Sequence, residues 1–281
     1  MPELIDLHHQ GHERTVASYL LDTDDGPAIF DCGPTTTTAA LKAGLAQHGL
    51  ELADIRHLLL SHIHLDHAGA AGVLVREQPS LQVHVSAIGA PHLVEPERLE
   101  RSARRLYGDT FDTLWGELAP VPEKNVHVAG ERVLGLDCFP TPGHASHHVS
   151  YLDRDGTLYA GDAAGVRIQP GHAVLPPTPP PELDVERWQQ TIEEIERRDP
   201  VRLALSHFGV AEDPQRHLAE LRLELYDWAD FVRGGAAEDE FVEYVRTELR
   251  DAGERLEDYD VAMPLWQSYR GLVRWVEKHP S

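Results

Sequence analysis

The run His62-Ile63-His64-Leu65-Asp66-His67 follows directly on an apolar segment, Ile55 to Leu60. A short apolar stretch of this kind reads as a buried strand, so the cluster sits at a strand end. Side chains two apart in extended chain point the same way, and His62 and His64 therefore converge on one point. Asp66 and His67 fall at the turn into the next helix, placed to serve a second. Imidazole and carboxylate together suit zinc, and also iron, manganese or cobalt. A lone histidine pair often caps a helix or fills a core. Four ligand-type side chains in six residues at the end of a buried strand point to metal.

Three later segments repeat the pattern of a polar side chain at a strand end. Pro142-Gly143-His144 places a histidine in a tight turn, Gly161-Asp162 ends a strand with a carboxylate, and Ser206-His207 ends the last apolar strand. Function collects at such ends because a rigid sheet positions the loops. Taken singly, His144 and His207 read as surface loop residues and Asp162 as a cap. Together with the first cluster they read as one site. His147 and His148 follow His144 and read either as partners that orient a ligand or as polar residues opening the strand Val149 to Asp153. His8, His9 and His12 are not taken as ligands.

The spacing predicts strands at Leu4–His8, Val16–Asp22, Pro27–Asp31, Gln82–Ser86, 132–139, Thr157–Ala160 and Val201–Ser206. Thr23-Asp24-Asp25-Gly26 reads as a hairpin turn. Helices are predicted from a cap at Thr35–Thr38 to His48, over Ala68–Glu77, over Leu99–Leu118, and through most of the chain after Glu182. Leu218, Leu221, Leu225, Trp228 and Phe231 form one apolar stripe of a long helix. Six prolines between Gln169 and Pro181 forbid a helix or central strand there. That stiff loop follows Asp162 and is expected to overhang the site, which makes His172 a candidate pocket residue.

The chain has 281 residues, enough for one elaborated domain or a large domain with a small helical one. Residues 1–212 are expected to form the first unit. Residues 213–281, with Trp228, Trp266, Tyr269 and Trp275, are expected to form a helical extension that caps the site or makes a homodimer contact. No apolar run of about 18 residues suggests a membrane span, and no basic and apolar leader opens the chain, so a cytoplasmic location is expected. Cys32 and Cys138 read as buried core residues without a disulfide. Acidic residues outnumber basic ones 47 to 25, a net charge of −22 that repels polyanions and argues against a nucleic-acid partner.

The order H-x-H-x-D-H at 62–67, T-P-G-H at 141–144, G-D at 161–162 and S-H at 206–207 resembles the metallo-β-lactamase superfamily over roughly Leu4 to Gly209. The resemblance implies an α/β (α+β) fold, an αββα sandwich of two mixed β-sheets flanked by helices, here with a helical C-terminal extension. It assigns one metal to His62, His64 and His144, a second to Asp66, His67 and His207, and a bridging role to Asp162. Asp31 matches an early structural aspartate. Two divalent ions, Zn2+ foremost with iron or manganese as alternatives, supply a shared hydroxide to attack a small-molecule substrate. Asp66 is then the residue that orients or protonates along the path.

The fold hosts many reactions. Ala163-Ala164-Gly165-Val166-Arg167 departs from glyoxalase II-like thioesterases. Ser61 to Gly69 is similar to the corresponding run of quorum-quenching lactonases. The inserted domain of RNA-processing relatives is missing, and flavodiiron carriers have glutamate where this chain has His64. Hydrolysis of an ester, lactone, thioester or phosphodiester is therefore expected. The rival is a persulfide dioxygenase with one iron on the equivalents of His62, His144 and Asp162.

Overall fold

Alternating apolar residues in the first thirty positions build a three-stranded antiparallel start to a sheet. In the computed structural model, which describes residues 2–279, β1 (Glu3–Asp6), β2 (Ala17–Thr23) and β3 (Gly26–Phe30) pair in that order. The β2–β3 turn rests on Gly26, whose φ of +102° most side chains avoid. Three parallel strands continue the sheet, β4 (His57–Leu59), β5 (Gln82–Val85) and β6 (Val126–Val128). The second sheet runs from β7 (Arg132–Val133) through β8 (Leu136–Pro140), β9 (Val149–Leu152), β10 (Thr157–Gly161) and β11 (Arg202–Leu205) to β12 (Gly209–Ala211). It is antiparallel except for the β10–β11 pair.

The helices are α1 (Thr38–Gln47), α2 (Leu65–Ala68), α3 (Ala71–Glu77), α4 (Ala90–Val94), α5 (Glu97–Tyr107), α6 (Phe111–Trp115), α7 (Val185–Arg198), α8 (Pro214–Arg233), α9 (Glu238–Asp251), α10 (Leu256–Ala262) and α11 (Leu265–Lys278). Three apolar clusters hold the layers. Tyr19, Phe30 and Leu59 of the first sheet meet Cys138, Tyr151 and Tyr159 of the second. The outer face of the first sheet packs Ile29, Leu58 and Val83 on Leu41, Leu45 and Leu74 of α1 and α3. The outer face of the second shares one cluster with α7 and with α8 to α11. Two mixed sheets thus lie between helices, and the C-terminal helices join the core of the second sheet. Both cysteines are buried and free.

Several expected elements differ in detail. The run 132–139 is two strands, because Leu134 and Gly135 both adopt positive φ and close a two-residue hairpin. Gly135 suits such a turn, but Leu134 replaces the Asn, Asp or Gly that usually precedes it, so the break is hidden in an apolar run. Gly108, at φ +56°, divides the expected helix 99–118 into α5 and α6. The expected helix 68–77 begins only at Ala71 as α3, and Ala68 instead ends the short helix α2 that carries Asp66 and His67. Thr37 does not cap α1, since its hydroxyl donates to Pro34 O and the segment opens as a 3-10 turn. The short strands β6 and β12 have no counterpart among the expected elements, and each is completed by pairing with a neighbour. Residues 169–181 form neither helix nor strand, apart from one bridge from Leu175 to Val166. Of the α8 stripe, Phe231 is only partly buried and stacks on Tyr244 with ring centroids 4.7 Å apart. Among the described residues no helix is long and apolar enough to cross a membrane.

Candidate metal centre

The ends of β4, β10 and β11, with the turn after β8, deliver seven side chains to one edge of the sandwich. Three groups of ligand-type atoms, each within 4.8 Å of one another, form there: His62, His64 and His144; His62, His67 and Asp162; Asp66, His67 and His207. Asp162 stands between the first and the last. Its Oδ2 is 3.2 Å from His144 Nε2, and its Oδ1 is 3.3 Å from His67 Nε2 and 3.5 Å from His207 Nε2. Asp66 Oδ2 faces His207 Nε2 at 3.4 Å and His67 Nε2 at 3.7 Å.

Four of the five imidazoles are held by their outward nitrogen, while His64 Nδ1 faces His144 Nε2 at 2.9 Å inside the cluster. His67 Nδ1 donates to Asp31 Oδ2 at 2.7 Å, His144 Nδ1 to Pro177 O at 2.8 Å, and His207 Nδ1 to Thr15 O at 2.7 Å. The Ser61 hydroxyl donates to Asp31 at 2.8 Å, which leaves its oxygen to accept from His62 Nδ1 at 2.9 Å. These bonds select the tautomer whose inward nitrogen carries a lone pair. Asp31 is the hub. It sits in left-handed backbone, φ +52°, and also accepts from Ser61 N and from the Ser206 hydroxyl.

His62 Nε2, His67 Nε2 and Asp162 Oδ1 are buried and have no hydrogen-bond partner. A buried polar atom left unsatisfied costs about 1–3 kcal/mol, and three together in a cluster of nitrogen and oxygen donors fit a divalent cation. The electrostatics differ between the two ends of the cluster. Burial, reinforced by the neighbouring imidazoles, pushes His62 and His64 well below the usual histidine range and keeps them neutral. Burial opposes charge on His67 too, but Asp162, Asp66 and Asp31 outweigh it and raise its pKa. Burial is likewise outweighed at Asp66, whose carboxyl His67 and His207 hold below the ordinary range.

Two glycines are required by this packing. A Cβ on Gly161 (φ +54°) would stand 2.5 Å from Ser61 Cβ, and one on Gly143 2.3 Å from Trp188 Cβ. His148, read either as an orienting partner or as a strand residue, accepts from the Asp162 backbone N–H at 3.1 Å and meets the Thr141 hydroxyl through Nδ1. His147 stacks on His62, centroids 5.9 Å apart.

The sequence profile of the Metallo-beta-lactamase superfamily matches residues 12–207, a span that holds every one of these ligand-type residues. The chain belongs to the metallo-β-lactamase superfamily. It is similar to the metallo-β-lactamase fold-containing protein ST1585 of Sulfurisphaera tokodaii, 27% identical over 59% of this chain and 66% of that one. The chain thus spans a little under two thirds of that curated relative. Among solved structures, the family protein TTHA1429 of Thermus thermophilus superposes with a TM-score of 0.71 at 18% identity, covering 99% of this chain and 93% of the other. TTHA1623, solved in a di-iron-bound form, gives 0.55 at 22% identity over 73% and 91%.

In this metallo-β-lactamase-fold chain the centre opens into a cavity of about 520 Å3. His64, Asp66, His144, His147, Asp162 and His207 border it, and Pro177 and Pro179 to Pro181 overhang it as expected for the proline loop. His172 lies elsewhere. It is exposed, 3.3 Å from Arg167 Nη2, and Glu254 holds its segment by accepting from the His172 and Ala173 backbone N–H groups. His9, discounted in the sequence, forms cavity wall through a stack on Trp115 at 5.4 Å. Tyr107, Trp115, Met263 and Gln267 also border the cavity and carry no local signal, since only tertiary packing of α5, α6, the α10–α11 turn and α11 brings them there.

Proposed function

We propose that this protein is a metal-dependent hydrolase of a small ester, lactone, thioester or phosphodiester. His62, His64 and His144 would hold one divalent cation, and Asp66, His67 and His207 a second, with Asp162 serving both. Zinc is the expected metal on the donor set, with iron or manganese as alternatives. A pair of such ions supplies Lewis acidity and a water acidic enough to be a nucleophile near neutral pH. The observation that carries the reading is Asp162, whose two oxygens face different sets of histidines.

The remaining work falls to side chains around the cavity. Asp31, Pro177 O and Thr15 O fix the imidazole rings through their outer nitrogens, so that they need no reorganisation. Asp66, with a side chain 21% exposed at the cavity, orients the attacking water and receives its proton for delivery to the leaving group. The water oxygen bonds to the carbonyl carbon or phosphorus, and the bond to the leaving alcohol or thiol breaks. The acidic surface, at net charge −22, fits a small-molecule substrate rather than a nucleic acid.

Metal content per chain by mass spectrometry, followed by an ester, lactone, thioester and phosphodiester panel, tests the reading. Two ions with hydrolysis abolished in Asp66→Asn support it. One iron per chain, with oxygen consumed in the presence of a persulfide, overturns it in favour of a dioxygenase.

A further inference from the structure

Helix α5 lays two adjacent stripes along the cavity. Leu99, Ala103 and Leu106 form one, and Arg98, Ser102 and Arg105 the other, both at i, i+4, i+7 spacing. The apolar stripe is continuous with the metal centre. Leu65, between His64 and Asp66, packs in one cluster with Ala103, Phe111 and Trp115, and Leu99 joins it. The polar stripe is exposed at the rim.

The charge on that rim is unusual for this chain. Acidic residues are in large excess, and Arg104, on the same helix, pairs with both Glu100 and Asp112. Among the described residues neither Arg98 nor Arg105 forms an ion pair. The carboxylates that border the cavity are committed elsewhere, Asp66 and Asp162 to the imidazoles and Glu182 to the Ser146 N–H and hydroxyl. Two guanidiniums thus reach the cavity rim without a protein counter-charge, beside an apolar wall that leads to the centre.

We propose that the substrate has an apolar body and carries an anionic group, a carboxylate or phosphate, remote from the bond that is cleaved. The body lies along Leu99, Ala103, Leu106 and Trp115, the anion meets Arg98 and Arg105, and the scissile group faces Asp66. Guanidinium suits this task because its planar fork matches both oxyanions. That the ligand is a substrate rests on the hydrolase reading, but its binding element, α5 with Trp115, does not.

A pair of fluorescent probes of one shape separates the two ideas. 8-Anilinonaphthalene-1-sulfonate is anionic, and N-phenyl-1-naphthylamine is the same body without charge. The metal-loaded full chain is expected to bind the sulfonate more tightly. In the double variant Arg98→Gln, Arg105→Gln that preference should fall about fivefold, with the neutral probe within about twofold and metal content unchanged. Arg101→Gln, a neighbouring unpaired charge that does not border the cavity, should leave the preference intact. An unaltered preference in the double variant, or equal weakening of both probes, overturns the proposal. Loss of preference in Arg101→Gln to the same extent does so too, since it reduces the effect to general surface charge. A carboxylate or phosphate ester should follow the sulfonate in hydrolysis against its neutral methyl analogue. If the two-metal protein hydrolyses nothing yet keeps the anion preference, the hydrolase reading falls and the binding assignment stands.

Discussion

At the scale of the residue, the centre depends on groups that never face the substrate. Asp31 accepts four hydrogen bonds, from Ser61 twice, Ser206 and His67, and so sets two ligand-type rings at once. Asp31→Ala should lower metal affinity about 10- to 100-fold, the usual cost of losing an outer partner. Titration with a chromophoric chelator reads this directly, and an affinity equal to wild type would show that His67 holds its orientation alone. His62→Ala and Asp162→Ala should each lose bound metal outright. Unchanged metal content in both would remove the site assignment.

At the scale of the element, α8 carries a histidine that makes stability depend on pH. His217 is buried, its Nε2 donates to Ala164 O at 2.7 Å, and burial lowers its pKa to about 4. The unfolded chain titrates near 6.5 and so binds more protons than the folded one between these values. Stability is therefore full above about pH 6.5 and is lost as pH falls toward 4, on the order of 3 kcal/mol from this group. Urea midpoints measured across that range should flatten in His217→Gln, and a slope indifferent to the substitution would assign it elsewhere. At the end of β10, Gly161→Ala meets Ser61 at 2.5 Å and a positive φ together. A loss of about 1–3 kcal/mol is expected, with displaced Asp162 and weakened metal binding.

At the scale of the whole molecule, the boundary near residue 212 divides the chain in sequence and not in packing. Leu203 and Leu205 of β11, Trp188 of α7, and Leu221, Trp228, Phe241 and Trp275 of the C-terminal helices share one apolar cluster. Val261, Met263 and Gln267 also close one side of the cavity. A chain ended at residue 212 would expose that cluster to water. It should aggregate or lose cooperative unfolding, as read by size exclusion and near-ultraviolet dichroism. A monomeric, cooperatively folded 1–212 would establish the helices as an independent addition.

The sequence by itself singled out the seven ligand-type side chains that the fold gathers at one edge, because strand periodicity and strand-end placement are local properties. His62, His64, Asp66 and His67 follow from six consecutive residues, and His144, Asp162 and His207 from apolar runs that stop just before them. The two mixed sheets followed from a resemblance carried by those motifs. What only the tertiary structure decided are relations between distant segments. The break at Leu134-Gly135 places a leucine in left-handed backbone, which its residue type does not signal. His9 became cavity wall and His172 left the cavity through contacts more than 80 residues apart in sequence, with Trp115 and Glu254 respectively. The pairing of an apolar stripe with unpaired arginines on α5 has meaning only once Leu65 lies against Ala103, a contact that no local pattern specifies.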